Sequence, residues 1–126
     1  MDYYVIINNS DISSGILERD IKKQLPDSMI SSYKTFSHAL ARLLINKDLI
    51  VSDIKDLHSI SVKISNLIVV IDIYQVALID DKELKRLKNI SGFSAASIFV
   101  YRDPANPYEP PVLNTSNVDG FWEFAA

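Results

Sequence analysis

Residues Leu67 to Ile73 read LIVVIDI, seven positions of which only Asp72 is polar. A strand this apolar has no face to give to water. It must be covered on both sides, which is the situation of a central strand in a parallel sheet packed between helices. Such a sheet needs crossover connections, so the rest of the chain should alternate strand and helix. It does. Tyr3 to Ile7 is a β-rich apolar run ended by Asn8-Asn9-Ser10. A helix follows from Asp11, with Ser10 or Asp11 as its cap and Pro26 as its stop. Ile12, Ile16 (or Leu17), Asp20/Ile21 and Leu25 mark its expected one-turn stripe. Ser28 to Lys34 reads as a short strand, and Phe36 to Asn46 as a helix whose Phe36, Ala39, Leu40, Leu43 and Leu44 share one side. Asp81 to Lys88 is a short helix with Leu84 and Leu87 inward. Ser97 to Tyr101 and Phe121 to Phe124 are the remaining strands.

Two stretches resist this scheme. Ile50 to Ile64 mixes helical and alternating spacing and is read as an irregular or helical insertion. Its alternative, a hairpin through Ser65-Asn66, would set an antiparallel partner beside Leu67 to Ile73. Asp103 to Asn117 holds four of the five prolines and cannot be a continuous helix.

The composition bounds what this fold can be used for. With 126 residues and 48% hydrophobic content the chain suits one domain, residues 1–126, with a sizeable core. A net charge of −3 argues against a broad basic surface for nucleic acid. No cysteine is present, which excludes disulfides and thiolate metal sites. Neither a secretory leader nor a membrane-length apolar segment is legible, so a cytoplasmic location without membrane contact is expected.

In register, these elements resemble the receiver domains of bacterial response regulators. Val5-Ile6-Ile7-Asn8-Asn9 stands where receivers end their first strand in two acids. Asp72 stands where they carry the phospho-accepting aspartate, and Val118-Asp119-Gly120-Phe121 looks like the approach to the fifth strand. The likeness is nearest to the atypical receivers of the biofilm-type LuxR-class regulators, the curli and Vibrio polysaccharide activators, through Asn106-Pro107-Tyr108 and Gly120-Phe121. The resemblance implies a flavodoxin-like, three-layer α/β sandwich on a mostly parallel five-stranded sheet. The receiver's fifth helix has no counterpart before Ala126, so an apolar flank of the sheet is expected to lie open.

The departures from that pattern decide the chemistry. Receiver phosphorylation requires a hard divalent cation held by carboxylates. Here the acidic-pair positions are the amides Asn8 and Asn9, and the nearest acid is Asp11. The switch hydroxyl falls on Tyr101 or Arg102, and the late lysine on Glu123 or Phe124. Asp72 is thus expected to be a vestigial phospho-acceptor in a domain that is not an enzyme. No cofactor and no metal are expected. The cyclic-dinucleotide motif of the polysaccharide activators is missing, so no nucleotide is expected either.

Other constellations carry bland readings. Ser10 to Gly15 resembles a hydroxyl-rich phosphate loop of the flavodoxin kind, but Asp11 would repel a phosphate and helix capping accounts for the hydroxyls. His38 and His58 have no third ligand at metal spacing. Lys82, Lys85, Arg86 and Lys88 alternate with acids and read as a solvated helix face. The aromatic end of the chain differs. Tyr101, Tyr108 and Trp122 are the expected interface contacts, since rigid loops and large rings bind at low entropic cost. The function expected on these grounds is a regulatory interaction or dimerisation module, the N-terminal part of a LuxR-class transcription regulator, whose partner is itself or another protein. The alternative is a small stand-alone partner-binding protein, such as an immunity protein or an inhibitor.

Overall fold

A computed structural model describes residues 2–45, 66–90, 93, 95–103 and 117–124. The chain runs β1 (Asp2–Ile7), α1 (Asp11–Gln24), β2 (Met29–Tyr33), α2 (Phe36–Ile45), β3 (Asn66–Asp72), α3 (Ile73–Ala77), α4 (Asp81–Lys88), β4 (Ala95–Tyr101) and β5 (Gly120–Phe121). The five strands form one sheet in the order β2-β1-β3-β4-β5, and every pairing is parallel. This is the α/β, flavodoxin-like sandwich that the receiver resemblance implied, built on the central parallel strand that the apolar run at Leu67 demanded. β3 pairs with β1 along one edge and with β4 along the other. Both edges of β3 are therefore taken, and the hairpin reading of Ser65-Asn66 fails. The insertion reading of Ile50 to Ile64 lies outside the described residues.

Alternation along the strands sorts their side chains between two cores. Tyr3, Val5, Ile7, Leu67, Val69, Ile71, Ile98 and Val100 face α2, α3 and α4 and are essentially inaccessible to water. The opposite face carries Tyr4, Ile6, Ile30, Val70 and Tyr101 against Leu17 and Ile21 of α1, with Trp122 and Phe124 packed at its margin. Among the described residues α1 is the one helix on this side. Ile68 and Phe99 lie on this flank and are half-buried. Gly120 lies directly beside this flank. A Cβ built on it would sit 3.3 Å from the ring of Phe99, so the glycine lets that ring lie close to the β5 backbone.

Several local expectations need correction. Ser10 does cap α1, its hydroxyl accepting from the Ser13 N–H at 3.2 Å. The buried stripe of that helix, however, is Ser13, Ser14, Leu17 and Ile21. Ile12 and Ile16 point outward, 79% and 42% exposed, and Leu25 beyond the helix is also exposed. Small serines let the first turn sit close to the sheet, and that closeness rotates the isoleucines away. Leu44 of α2 is likewise exposed, although Phe36, Ala39, Leu40 and Leu43 are buried as expected. Ile73 is not the last residue of β3. It opens the short helix α3, which periodicity did not reveal. β5 ends at Phe121 instead of running to Phe124, although the Trp122 N–H still donates to the Val100 carbonyl at 2.8 Å.

Candidate functional site

In a doubly wound sheet ligands bind outside the carboxyl ends of the strands, so the candidate site is built from what those ends present. β1 delivers Asn8, β3 delivers Asp72, and β4 delivers Tyr101 and, two residues on, Asp103. Asp72 and Tyr101 are direct register partners, and Asn8 follows Ile7, the partner of Ile71. All four are buried, with Asn8 only 2% and Tyr101 1% exposed.

Asn8 organises the cluster. Its Oδ1 accepts from the Ser10 N–H at 2.8 Å, which fixes the amide so that Nδ2 faces the other way. Nδ2 donates to the Tyr101 hydroxyl and, at 3.3 Å, to Asp103 Oδ2. An amide can donate here where a carboxylate would only repel the neighbouring acid. Asn8 is thereby a neutral strut between β1 and β4.

Asp72 is less well provided for. It is 6% exposed, and its Oδ1 has no hydrogen-bond partner among the described residues. It stands at the cap position of α3 yet makes no capping hydrogen bond. Burial pushes its carboxyl above the usual carboxylate range, and the negative charge of Asp103 adds to that rise. The nearby backbone N–H groups of Tyr74 and Ile73 oppose it. Burial also raises the Tyr101 phenol against the opposing Asn8 hydrogen bond, with Asp72 and Asp103 contributing. The edge holds two buried acids and a phenol that keeps its proton.

This donor set does not suit the divalent cation that the receiver resemblance implies. Among the described residues no group of three or more metal-ligating side chains comes together. Asn8 turns its N–H2 group, not its carbonyl, toward the acids. Asn9 is exposed and lines a different hollow of about 440 Å³, with Lys34, Thr35, Gln75 and Leu78. Of the two positions that could have supplied a late lysine, Glu123 is exposed, and Phe124 sets its ring edge-on to Tyr101 with centroids 6.2 Å apart.

The interface candidates fare unevenly. Tyr101 is inside the molecule and has no surface to offer a partner, because alternation on β4 turns it into the α1-side core. Trp122 is half-buried, its Nε1–H donating to Asp20 Oδ2 at 2.9 Å and its ring edge-on to Tyr4 at 6.1 Å. Tyr108 and His58 lie outside the described residues. His38 is exposed against the ring of Tyr33. In the basic stripe, Lys85 pairs with Asp81 at 3.6 Å and Lys88 with Asp119 at 2.9 Å. Asp103 was the residue missed. Its signal was the step of two from Phe99 through Tyr101, which carries the same inward face past the end of β4.

No helix among the described residues is long and apolar enough to cross a membrane. No protein-family model matches the chain, and neither does any curated protein or any solved structure.

Proposed function

We propose that this domain is a non-catalytic, receiver-like interaction module, used as the regulatory part of a LuxR-class transcription regulator. The observation that carries the reading is the closed carboxyl edge. The place where a receiver would hold a metal and accept a phosphoryl group is filled by Tyr101 and Asp103, each bonded to Asn8, with Asp72 buried beside them. A phosphoryl donor needs an exposed carboxylate and a cation to offset its charge. Asp72 has neither a surface nor a suitable set of neighbouring donors. What the fold retains is a rigid scaffold with its chemistry neutralised, and contact with another protein is the use that scaffold still supports. The test is incubation with acetyl phosphate and Mg²⁺ followed by intact mass measurement. The parent mass should be unchanged. A stoichiometric phosphate adduct that disappears in Asp72→Asn would overturn the proposal.

A further inference from the structure

The outward face of α1 is built unlike that of an ordinary surface helix. Ile12 is 79% and Ile16 42% exposed, one turn apart on the same side, where polar residues are expected. Gly15 lies between them. Glycine inside a helix costs backbone entropy and is normally kept for a positive φ or a tight intramolecular contact. Gly15 has neither, since a Cβ built on it would meet nothing within 4 Å. A hollow of about 520 Å³ opens over it, lined by Glu18, Arg19 and Lys22. An apolar ridge next to a hollow on one helix is a shape that fits its own copy.

We infer that α1 is a self-association surface, and that its occupant is α1 of a second copy of this chain packed antiparallel across a two-fold axis. Such an isologous contact puts Ile16 of each copy into the hollow over Gly15 of the other, where the missing Cβ lets the helices approach closely. The charges agree with that direction. α1 carries Asp11 in its first turn and Lys22 and Lys23 in its last, with Arg19 one turn beyond Ile16. The antiparallel arrangement brings Arg19 of each copy toward Asp11 of the other, whereas a parallel one would set like charge against like. Asp11 is held within its own chain by Lys34 at 3.9 Å, an exposed pair that exchanges readily for an intermolecular one. A helix of 14 residues spans about 21 Å. A contact through one helix this short is expected to bury less than the roughly 1,200 Å² total of a stable interface, which makes the dimer weak and concentration-dependent.

This inference rests on the reading of the domain as an interaction module, and names its partner. Sedimentation equilibrium of the full chain from about 10 μM to about 1 mM tests it. The expected result is a reversible monomer–dimer equilibrium, weakened at least tenfold by Ile16→Glu and by Gly15→Ala. Ile16 is exposed and a Cβ on the half-buried Gly15 meets nothing, so both changes leave the fold intact, as circular dichroism will register. Arg19→Glu should weaken the dimer, and adding Asp11→Arg should restore it. A monomer throughout the range overturns the inference, as does a dimer indifferent to Ile16→Glu and Gly15→Ala. A monomer that takes up no phosphate removes only the α1 surface. A phosphate adduct on Asp72 in a chain that dimerises through α1 removes only the non-catalytic reading.

Discussion

Replacing Asp72 by asparagine should make this protein more stable at neutral pH. The carboxylate is 6% exposed, one of its oxygens lacks a donor among the described residues, and Asp103 repels it. Leaving a buried acceptor unsatisfied costs about 1–3 kcal/mol, more when the group is charged. Asparagine has the same shape, carries no charge, and turns repulsion toward Asp103 into a possible donation. Against this stands the loss of whatever the Ile73 and Tyr74 N–H groups give the anion, so a net gain of about 1–2 kcal/mol is expected. For a chain of this size that raises the melting temperature by roughly 3–8 °C. The pH dependence is the sharper part. Because the folded-state pKa is raised, the native state keeps a proton that the unfolded chain has released. The parent's stability contribution from this group is full below the ordinary aspartate value and is lost as pH rises through the folded value. The advantage of Asp72→Asn must therefore grow with pH, being small near about pH 4 and larger near about pH 7. Thermal melts of both proteins across that range, followed by circular dichroism, measure the difference. A variant less stable than the parent at neutral pH, or an advantage that stays flat with pH, would refute the account of Asp72 as a strained buried acid.

Two further changes probe the parts that hold the site in place. Leu17 is fully buried and anchors α1 to the sheet, so Leu17→Ala should cost about 3–5 kcal/mol in urea unfolding; a loss below about 1 kcal/mol would mean the smaller core contributes little. Asp119 accepts from the Ile98 N–H at 2.8 Å and from Lys88 at 2.9 Å. Burial acts to raise its carboxyl, but Lys88 and the Ile98 N–H outweigh that and hold it below the usual range. Its stabilisation is thus present above the ordinary aspartate pKa and is lost as pH falls through the lowered value. Asp119→Asn should cost about 1 kcal/mol near neutrality, discounted for its exposure, and almost nothing in strong acid. An equal cost at both ends would show that charge is not what ties β5 to α4.

Much of the fold was legible because its strongest signal was physical necessity. A seven-residue apolar strand must be central, and a central parallel strand forces alternation of strand and helix around it. The ends of α4 were readable to the residue from Leu84 and Leu87 inward and its charged outer face, and the structure adds the cap, Asp80 accepting from the Lys82 N–H. The α1 stripe was read correctly at Leu17 and Ile21 and misread in its first turn, because periodicity alone weighs isoleucine above serine. The burial of Ser13 and Ser14 depends on how closely the helix approaches the sheet, which no window of sequence encodes. α3 escaped notice because five residues give too little period to detect, and its Ile73 extends the apolar run of β3. At the site, Asp72 was visible as a match to the receiver pattern and Asn8 as a departure from it. The bond from Asn8 to Tyr101 and Asp103 joins residues separated by most of the chain, and only the sheet order brings them together.

The interior place of β1 in that order, between β2 and β3, has a kinetic consequence. Its partners, beginning at Met29 and Asn66, both come later in the chain. The most apolar surface near the N-terminus therefore leaves the ribosome without the strands that will cover its edges, and one edge waits until β3 has been made. Non-local parallel pairing of this kind is slow, since long loops must close before any contact repays the entropy. Folding should then be limited by the docking of β3 on β1, and substitutions at Val69 should slow refolding more than those at Leu84. A nascent chain halted before Asn66 would hold β1 with an unpaired edge, the state from which this protein is most exposed to aggregation.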